Sequence, residues 1–293
     1  MLKGKIDPSG KPNIVMEGET FALIDGNNGP GPVAAFFAAD VAAKKARDKG
    51  LSVIGIRRSH DIFQVGLYVE RIARQGLIGF AFTDDPTPVI AALGGCRAVM
   101  GCNAMAIAVP TQKDPFLLDF SPVATGSTPV RYARRYGADL PEGVAVDADG
   151  NPTTNPHVVG DGDGYQPEKG AILPAGSKGY GLLLLIDFLS GALMGCNMGT
   201  DHFTQPGAIK GHFFMAIDPS IFGSIDEFRQ AVSNRIQSLH EAQTAPGVTE
   251  IRTPGEGSFK RREKSLAEGQ VLIDVELWKD TLRLCNELGV KAP

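Results

Sequence analysis

From residue 21 onward the chain alternates between short, β-branched apolar runs and longer segments whose apolar residues recur at helical spacing. A purely helical or purely β fold does not satisfy that alternation, which favours a sheet covered by helices. Residues 21–25 read as a strand, 33–49 as a helix ending in Lys44, Lys45, Arg47 and Lys49 and stopping at Gly50, and 51–56 as a strand. A helix is expected over 64–75 through Val65, Tyr68, Val69 and Ile72, then strands at 77–82, 104–109, 116–120 and 211–218. A long turn-rich stretch fills 137–177, and an apolar helix runs over 180–194. Beyond residue 222 the segments 224–243 and 275–288 are amphipathic and helical, joined by the turn at 252–257 and the basic stretch 260–264. The expected division is an α/β body over 21–222 and a smaller helical part from 1–20 and 223–293.

Composition removes several function classes. With 29 basic against 33 acidic side chains the net charge is −4, so the chain lacks the basic excess that neutralises nucleic-acid phosphates. The N-terminus shows no apolar signal core, and no uninterrupted apolar run, Leu182 to Ile186 among them, comes near a bilayer span, so no membrane association is expected. Cys96, Cys102, Cys196 and Cys285 form no C-x-x-C or zinc spacing and read as reduced thiols of a cytoplasmic protein. His157, His202, His212 and His240 are scattered, and no metal site is expected. Asp147 to Asn151 and Asp161 to Gly164 mimic calcium loops only superficially and read as turns.

Four motifs remain. Gly29-Pro30-Gly31-Pro32-Val33-Ala34 fits the dinucleotide fingerprint G-x-G-x-x-A, yet Pro32 offers no N–H to a phosphate and the next strand ends in Arg57-Arg58 instead of an acid. A proline-stiffened turn capping a helix is favoured, with a Rossmann site as the alternative. Arg57-Arg58-Ser59-His60-Asp61 lies where a strand ends, a usual place for catalytic side chains, and is read either as a surface turn or as an acid/base site with Asp61 beside the His60 imidazole. Lys178 stands near the start of the apolar helix, where an ammonium and free N–H groups can hold an anion together, or is a solvated lysine. Gly255-Glu256-Gly257 is a flexible turn unless a nucleotide lies there.

Taken in order, Ile24 to Gly31, Arg57 to Asp61, Gln75 to Gly79, Thr83-Asp84-Asp85, Gly101-Cys102-Asn103, Leu118 to Ser121, Leu173 to Gly179, Gly211 to Phe214 and Arg252 to Glu256 resemble the malate/L-lactate dehydrogenase family. That family of NAD(P)-dependent oxidoreductases is unrelated to the Rossmann dehydrogenases and includes ureidoglycolate and sulfolactate dehydrogenases, diketogulonate reductase and Δ1-piperideine-2-carboxylate reductases. The resemblance implies a mixed β-sheet flanked by helices, of sulfolactate-dehydrogenase type, with a smaller helical domain, in a homodimer. It favours the turn reading of Gly29 to Gly31.

The resemblance also implies roles. Asp119, Phe120 and Ser121 fall on the strand end that contacts the cofactor, Ser177 and Lys178 near its phosphates, and Gly255, Glu256 and Gly257 near its nucleotide end. Asp85 replaces a serine of the family's Thr-Asn-Ser, and a carboxylate beside the dinucleotide disfavours an extra phosphate. Where the family shows Asn-Ser-x-His, this chain has Asp61 in place of the histidine and His60 one position earlier, so either side chain is a candidate proton donor. Family chains carry some fifty further N-terminal residues, with a Ser-His-Gly motif and an arginine for the substrate carboxylate, and Met1 falls after that segment. The expected activity is hydride transfer between NAD or NADP and C2 of a small 2-hydroxy acid/2-oxo acid pair or a cyclic imine acid. The alternative is a catalytically silent nucleotide-binding or scaffold homologue that has lost the N-terminal catalytic segment.

Overall fold

The structure, a computed structural model, describes residues 6–85, 87–160, 166–200 and 210–292. The chain separates into two compact units, Met1–Gly255 and Glu256–Pro293. Among the described residues of the larger unit the strands are β1 (Asn13–Glu17), β2 (Phe21–Asp25), β3 (Leu51–Ser59), β4 (Ile78–Thr83), β5 (Ile90–Ala91), β6 (Ala98–Met100), β7 (Ala104–Val109), β8 (Phe116–Phe120), β9 (Ala145–Val146), β10 (Ala171–Ile172) and β11 (Lys210–Ile217). Seven of them form the main sheet in the order β1-β2-β3-β11-β4-β7-β8. Only β2 and β3 are parallel; every other neighbouring pair in this sheet is antiparallel. A Rossmann fold requires successive parallel strands, so this sheet is mixed and of a different kind.

Helix α1 (Gly31–Lys49) supplies the crossover between the parallel strands β2 and β3. Its inner face is almost entirely alanine: Ala34, Ala35, Ala38, Ala39, Ala42, Ala43 and Ala46 are all buried. Side chains this short let the helix lie close on β3, and Gly50, left-handed at φ 87°, ends it with its N–H on the Ala46 carbonyl. Helix α2 (Gly66–Ala73) turns Tyr68 between Phe36 and Phe214 in edge-on contacts, with the buried phenol donating to the Ile62 carbonyl at 2.7 Å.

Alternation along β11 divides the core between the two sheet faces: Phe214 meets Tyr68, whereas Phe213 stacks on Phe82 and joins Met105, Ile186 and Met194. The second cluster is covered by α4 (Gly176–Ile186), which continues through a π-helical turn (Asp187–Gly191) and a 3-10 turn (Ala192–Met194). The other flank of α4 meets a small sheet, β6-β5-β10-β9, where Leu183 packs with Ile90, Met100, Ile172 and Val130.

Several elements differ from the sequence reading. The polar segment 1–20, assigned to the helical part, contains β1, which pairs with β2 through a bulge between Ile14 and Met16. The stretch 137–177 carries β9 and β10, each too short to show a period. Helix α3 (Ser127–Tyr136), unmarked in the sequence reading, inserts only Val130 and Ala133 into the core, leaving little apolar signal. The described part Gly176–Met194 is long and apolar enough to cross a membrane by length and composition, yet Leu183, Ile186 and Met194 are core residues. His202 and the turn at 161–164 lie outside the described residues.

Helix α5 (Ile225–His240) belongs to the larger unit and starts at Ser224, whose hydroxyl accepts the Glu227 N–H. In the smaller unit, α6 (Glu256–Glu268) occupies the stretch read as a basic linker, and α7 (Val275–Leu288) starts at Asp274, which accepts the N–H groups of Glu276 and Leu277.

Candidate active site

The carboxyl ends of β2, β3 and β4 and the amino ends of β7 and β11 meet at one end of the main sheet, as the pairs Asp25↔Arg57, Lys210↔Ser59, His212↔Thr83 and Thr83↔Ala104 establish. In open α/β sheets this end is where ligands bind, because the connecting loops there are free to carry side chains. Among the described residues, five non-glycine positions have positive φ: Asn27 (49°), Asn28 (55°), Arg58 (52°), Phe63 (58°) and Asn103 (33°). Four of them lie in the loops at this end, and Arg58 lies next to the last residue of β3. Asparagine tolerates that conformation; arginine and phenylalanine are held in it by the surrounding structure.

His60 and Asp61, adjacent in sequence, take different partners. The Nε2 of His60 lies 2.6 Å from Asn28 Oδ1, and the Asn28 loop is itself pinned by its backbone N–H to the Arg58 carbonyl at 3.0 Å. Asp61 accepts the Phe63 N–H at 3.0 Å and lies 3.7 Å from the ammonium of Lys210, which is also 3.4 Å from Asp85. Lys210 is 14% exposed; burial works against its charge, but Asp85 and Asp61 outweigh that and raise its pKa, so it is an ammonium. Gly31 lies against the same loop. A Cβ there would come within 2.4 Å of the carbonyl oxygens of both His60 and Asp61. Gly31 is therefore required by packing, in keeping with the turn reading and against a pyrophosphate cradle.

Beneath His60 lies His212, fully buried, with Nε2 3.2 Å from the His60 carbonyl and Nδ1 2.8 Å from Thr83 Oγ1. Burial, reinforced by the Lys210 charge, pushes its pKa down to about 3. The neutral ring then donates from Nε2 to the His60 carbonyl and accepts the Thr83 hydroxyl at Nδ1. A second buried chain supports Asp85: its N–H donates to Asn103 Oδ1 at 3.0 Å, while the Asn103 amide donates to Asp187 Oδ1 at 2.7 Å and to the Leu183 carbonyl. Asp187 opens the π-helical turn, an irregularity that often marks functional positions.

Sequence reasoning missed Asn28, Lys210, His212, Asn103 and Asp187 as members of this site. The asparagine pair after β2 was a usable signal, since both residues tolerate φ > 0. Lys210, one residue before the Gly211-His212 motif, carries none until β11 is inserted beside β3.

At the far side of the same sheet end, β8 runs out at Phe120 and the chain passes Ser121 to α4. The N–H of Ala175 donates to the Pro122 carbonyl at 3.1 Å, and a Cβ on Gly179 would meet that oxygen at 2.6 Å. Helix α4 starts without a capping side chain and without an acid in its first turn, and Ser177 and Lys178 are exposed there. The Gly176 N–H is taken by the Pro174 carbonyl at 2.7 Å, and the N–H groups of Ser177 and Lys178 with the ammonium are donors of the kind that hold the phosphates of a dinucleotide. Phe120 packs into the Phe82 and Met105 cluster. Asp119 points to the other face, where it accepts the Gly66 N–H at 2.9 Å; burial raises its pKa. Gly66 is tied to this contact, because its Cβ would lie 2.7 Å from Asp119 Oδ2. Gly255 (φ 97°) lies against Leu117 at the other end of β8, with the Pro254 carbonyl accepting the Leu117 N–H. Glu256 and Gly257 open α6 in the smaller unit.

Residues 1–281 match the profile of the family described as malate/L-lactate dehydrogenase. The malate dehydrogenase of Pyrococcus horikoshii is 33% identical over 292 residues, 99% of this chain and 79% of that one. The solved sulfolactate dehydrogenase of Methanocaldococcus jannaschii superposes with a TM-score of 0.84 at 34% identity, over 99% of this chain and 82% of that one. The Δ1-piperideine-2-carboxylate reductase of Pseudomonas syringae pvar. tomato superposes with a TM-score of 0.81 at 29% identity, over 95% of this chain and 81% of that one. Dehydrogenation in this family implies a nicotinamide cofactor, and the mixed, helix-flanked sheet carries that chemistry without the Rossmann phosphate loop. On sequence and fold together, the chain belongs to the malate/L-lactate dehydrogenase family.

Proposed function

We propose that this protein moves hydride between a nicotinamide dinucleotide, NAD or NADP, and C2 of a small 2-hydroxy acid/2-oxo acid pair or a cyclic imine acid. The observation that carries the reading is the convergence of His60, Asp61, Asp85 and Lys210 at the sheet end that also meets the uncapped start of α4. The bound cofactor supplies the hydride chemistry. Ser177, Lys178 and the free N–H groups of α4 hold its phosphates, with Ser121 beside them. His60, oriented by Asn28, holds or relays the proton at the C2 oxygen or nitrogen, and Asp61 is the neighbouring acid. Asp119, Phe120 and Gly255 are further proposed cofactor contacts of the larger unit, Glu256 and Gly257 are proposed contacts on the smaller one, and Asp85 bears on the choice between NAD and NADP.

The proposal extends to a homodimer and to a cytoplasmic setting, the latter supported by the four free thiols. Thermal unfolding with NADH and, separately, NADPH tests the cofactor. A ligand at a hundred times its dissociation constant adds about 2.7 kcal/mol, which raises the melting temperature of a chain this size by a few degrees. One productive cofactor, followed by turnover of 2-oxo or imine acids, is the expected result. His60→Ala is expected to lower turnover by orders of magnitude while leaving the cofactor-induced shift in place. A cofactor shift without turnover of any of these acids counts against the proposed substrate class.

A further inference from the structure

Segments far apart in sequence fix both the ring and the main chain of His60. Its ring nitrogen Nε2 lies 2.6 Å from Asn28 Oδ1, and its carbonyl lies 3.2 Å from Nε2 of the neutral, fully buried His212. A Cβ on Gly31 would reach the same carbonyl at 2.4 Å, so the main chain at His60 has no room to shift toward α1. Asn28 is held as firmly. Its N–H donates to the Arg58 carbonyl at 3.0 Å, and its carbonyl accepts the Asp7 N–H at 2.8 Å. The preceding residue, Asn27, donates its N–H to Asp25 Oδ1 at 2.8 Å and its amide to the Lys11 carbonyl and to Asn13 Oδ1, both at 2.7 Å. Both asparagines are left-handed, at φ 49° and 55°, a conformation asparagine tolerates. The loop therefore presents a fixed, neutral acceptor to one nitrogen of the imidazole. An amide oxygen only accepts, so Nε2 carries a proton in the neutral ring as well as in the imidazolium.

We propose that Asn28 is a positioning residue that keeps one proton on Nε2 of His60, so that Nδ1 is the nitrogen at which the catalytic proton is held and released. This rests on the hydride-transfer reading above, with His60 as the proton-carrying group. In the reducing direction the imidazolium gives its Nδ1 proton to the C2 oxygen or nitrogen as hydride forms the C2–H bond. The π pair of C2=O or C2=N takes up that proton, the dinucleotide that gave the hydride is oxidised, and His60 is left neutral with its proton on Nε2. Solvent returns the Nδ1 proton, and the oxidising direction runs through the same states reversed. Fixing the tautomer matters because a neutral ring protonated at Nδ1 has no lone pair there to take the hydroxyl proton in the oxidising direction. An amide suits this task better than a carboxylate, since it sets the tautomer and the ring angle without a charge that holds the imidazolium and slows release of its proton.

Glycine fits the left-handed backbone at position 28, so Asn28→Gly removes the amide without straining the loop, whereas Asn28→Asp keeps an oxygen acceptor. The ring of His60 is read by long-range proton–nitrogen NMR of the whole chain carrying isotope-labelled histidine, its signals assigned by their loss in His60→Gln. The wild type and Asn28→Asp are expected to show the neutral ring protonated at Nε2, and Asn28→Gly a mixture of the two tautomers. In turnover of 2-oxo or imine acids, Asn28→Gly is expected to lower kcat at least tenfold. Its KM for the cofactor and its melting temperature are expected to match the wild type, which a merely structural role of the amide does not allow. Asn28→Asp is expected to lie between the two in kcat. A wild-type ring protonated at Nδ1 overturns the assignment, and so does an Asn28→Gly variant that keeps the Nε2–H form or the wild-type kcat. If the wild type turns over none of these acids, the hydride-transfer reading fails, and the ring signals still decide whether Asn28 sets the tautomer.

Discussion

His212 shows how far burial governs a single residue. In the unfolded chain its imidazole titrates near 6.5, and in the fold at about 3. Between those values the unfolded chain takes up a proton that the native state refuses, so stability falls as pH falls, by about 1.4 kcal/mol per pH unit from this group alone. His212→Gln keeps a donor for the His60 carbonyl and removes the titration. Urea unfolding at pH 7, 6 and 5 is expected to show a shallower loss in the variant than in the wild type, and parallel slopes would refute the assignment. Phe63 illustrates the opposite balance, where local strain is retained on an exposed side chain. Phe63→Gly relieves the left-handed backbone and is expected to raise stability by about 0.5–1 kcal/mol in thermal melts.

At the scale of elements, α1 and α4 do different work from similar apolar content. The alanine face of α1 allows close approach to the sheet and so brings Gly31 against His60 and Asp61. A larger side chain on that face has no space to fill: Ala39→Leu is expected to destabilise by about 1–3 kcal/mol in denaturant titrations. Helix α4 couples two layers, Leu183 to the small sheet and Ile186 to the main one. Its π-helical turn directs Asp187 to Asn103, and through Asn103 to the backbone of Asp85. The strand and helix periods of β2, α1, β3, α2 and β4 were legible in the sequence because each is long enough to show its repeat. The elements β5, β6, β9 and β10 span two or three residues each and cannot show one.

At the scale of the whole molecule, the sheet order brings two chemistries to one end. Between β3, which ends beside His60, and β8, which ends beside Ser121, lie β11, β4 and β7, a separation of about 19 Å at ordinary strand spacing. The proposed acid/base group and the proposed phosphate-holding helix start thus lie apart on one rim. Lys178→Ala tests that separation: it is expected to weaken dinucleotide binding roughly tenfold, more at low salt than at high, and to leave the melting temperature of the free protein unchanged. Unchanged affinity at both salt concentrations would remove Lys178 from the phosphate subsite.

The order of motifs from Ile24 to Glu256, together with the alternation of strand and helix, determined the family and the mixed, helix-flanked sheet from sequence alone, because local periodicity and turn chemistry are properties of neighbouring residues. His60 and Lys178 were named from their places at a strand end and a helix start for the same reason. Lys210 on Asp61 and Asp85, His212 beneath His60, and Asn103 on Asp187 join residues up to 152 positions apart. The insertion of β11 between β3 and β4 creates the first two and the packing of the turn after α4 the third, since long-range pairing and the burial that sets each charge exist only once the sheet is assembled.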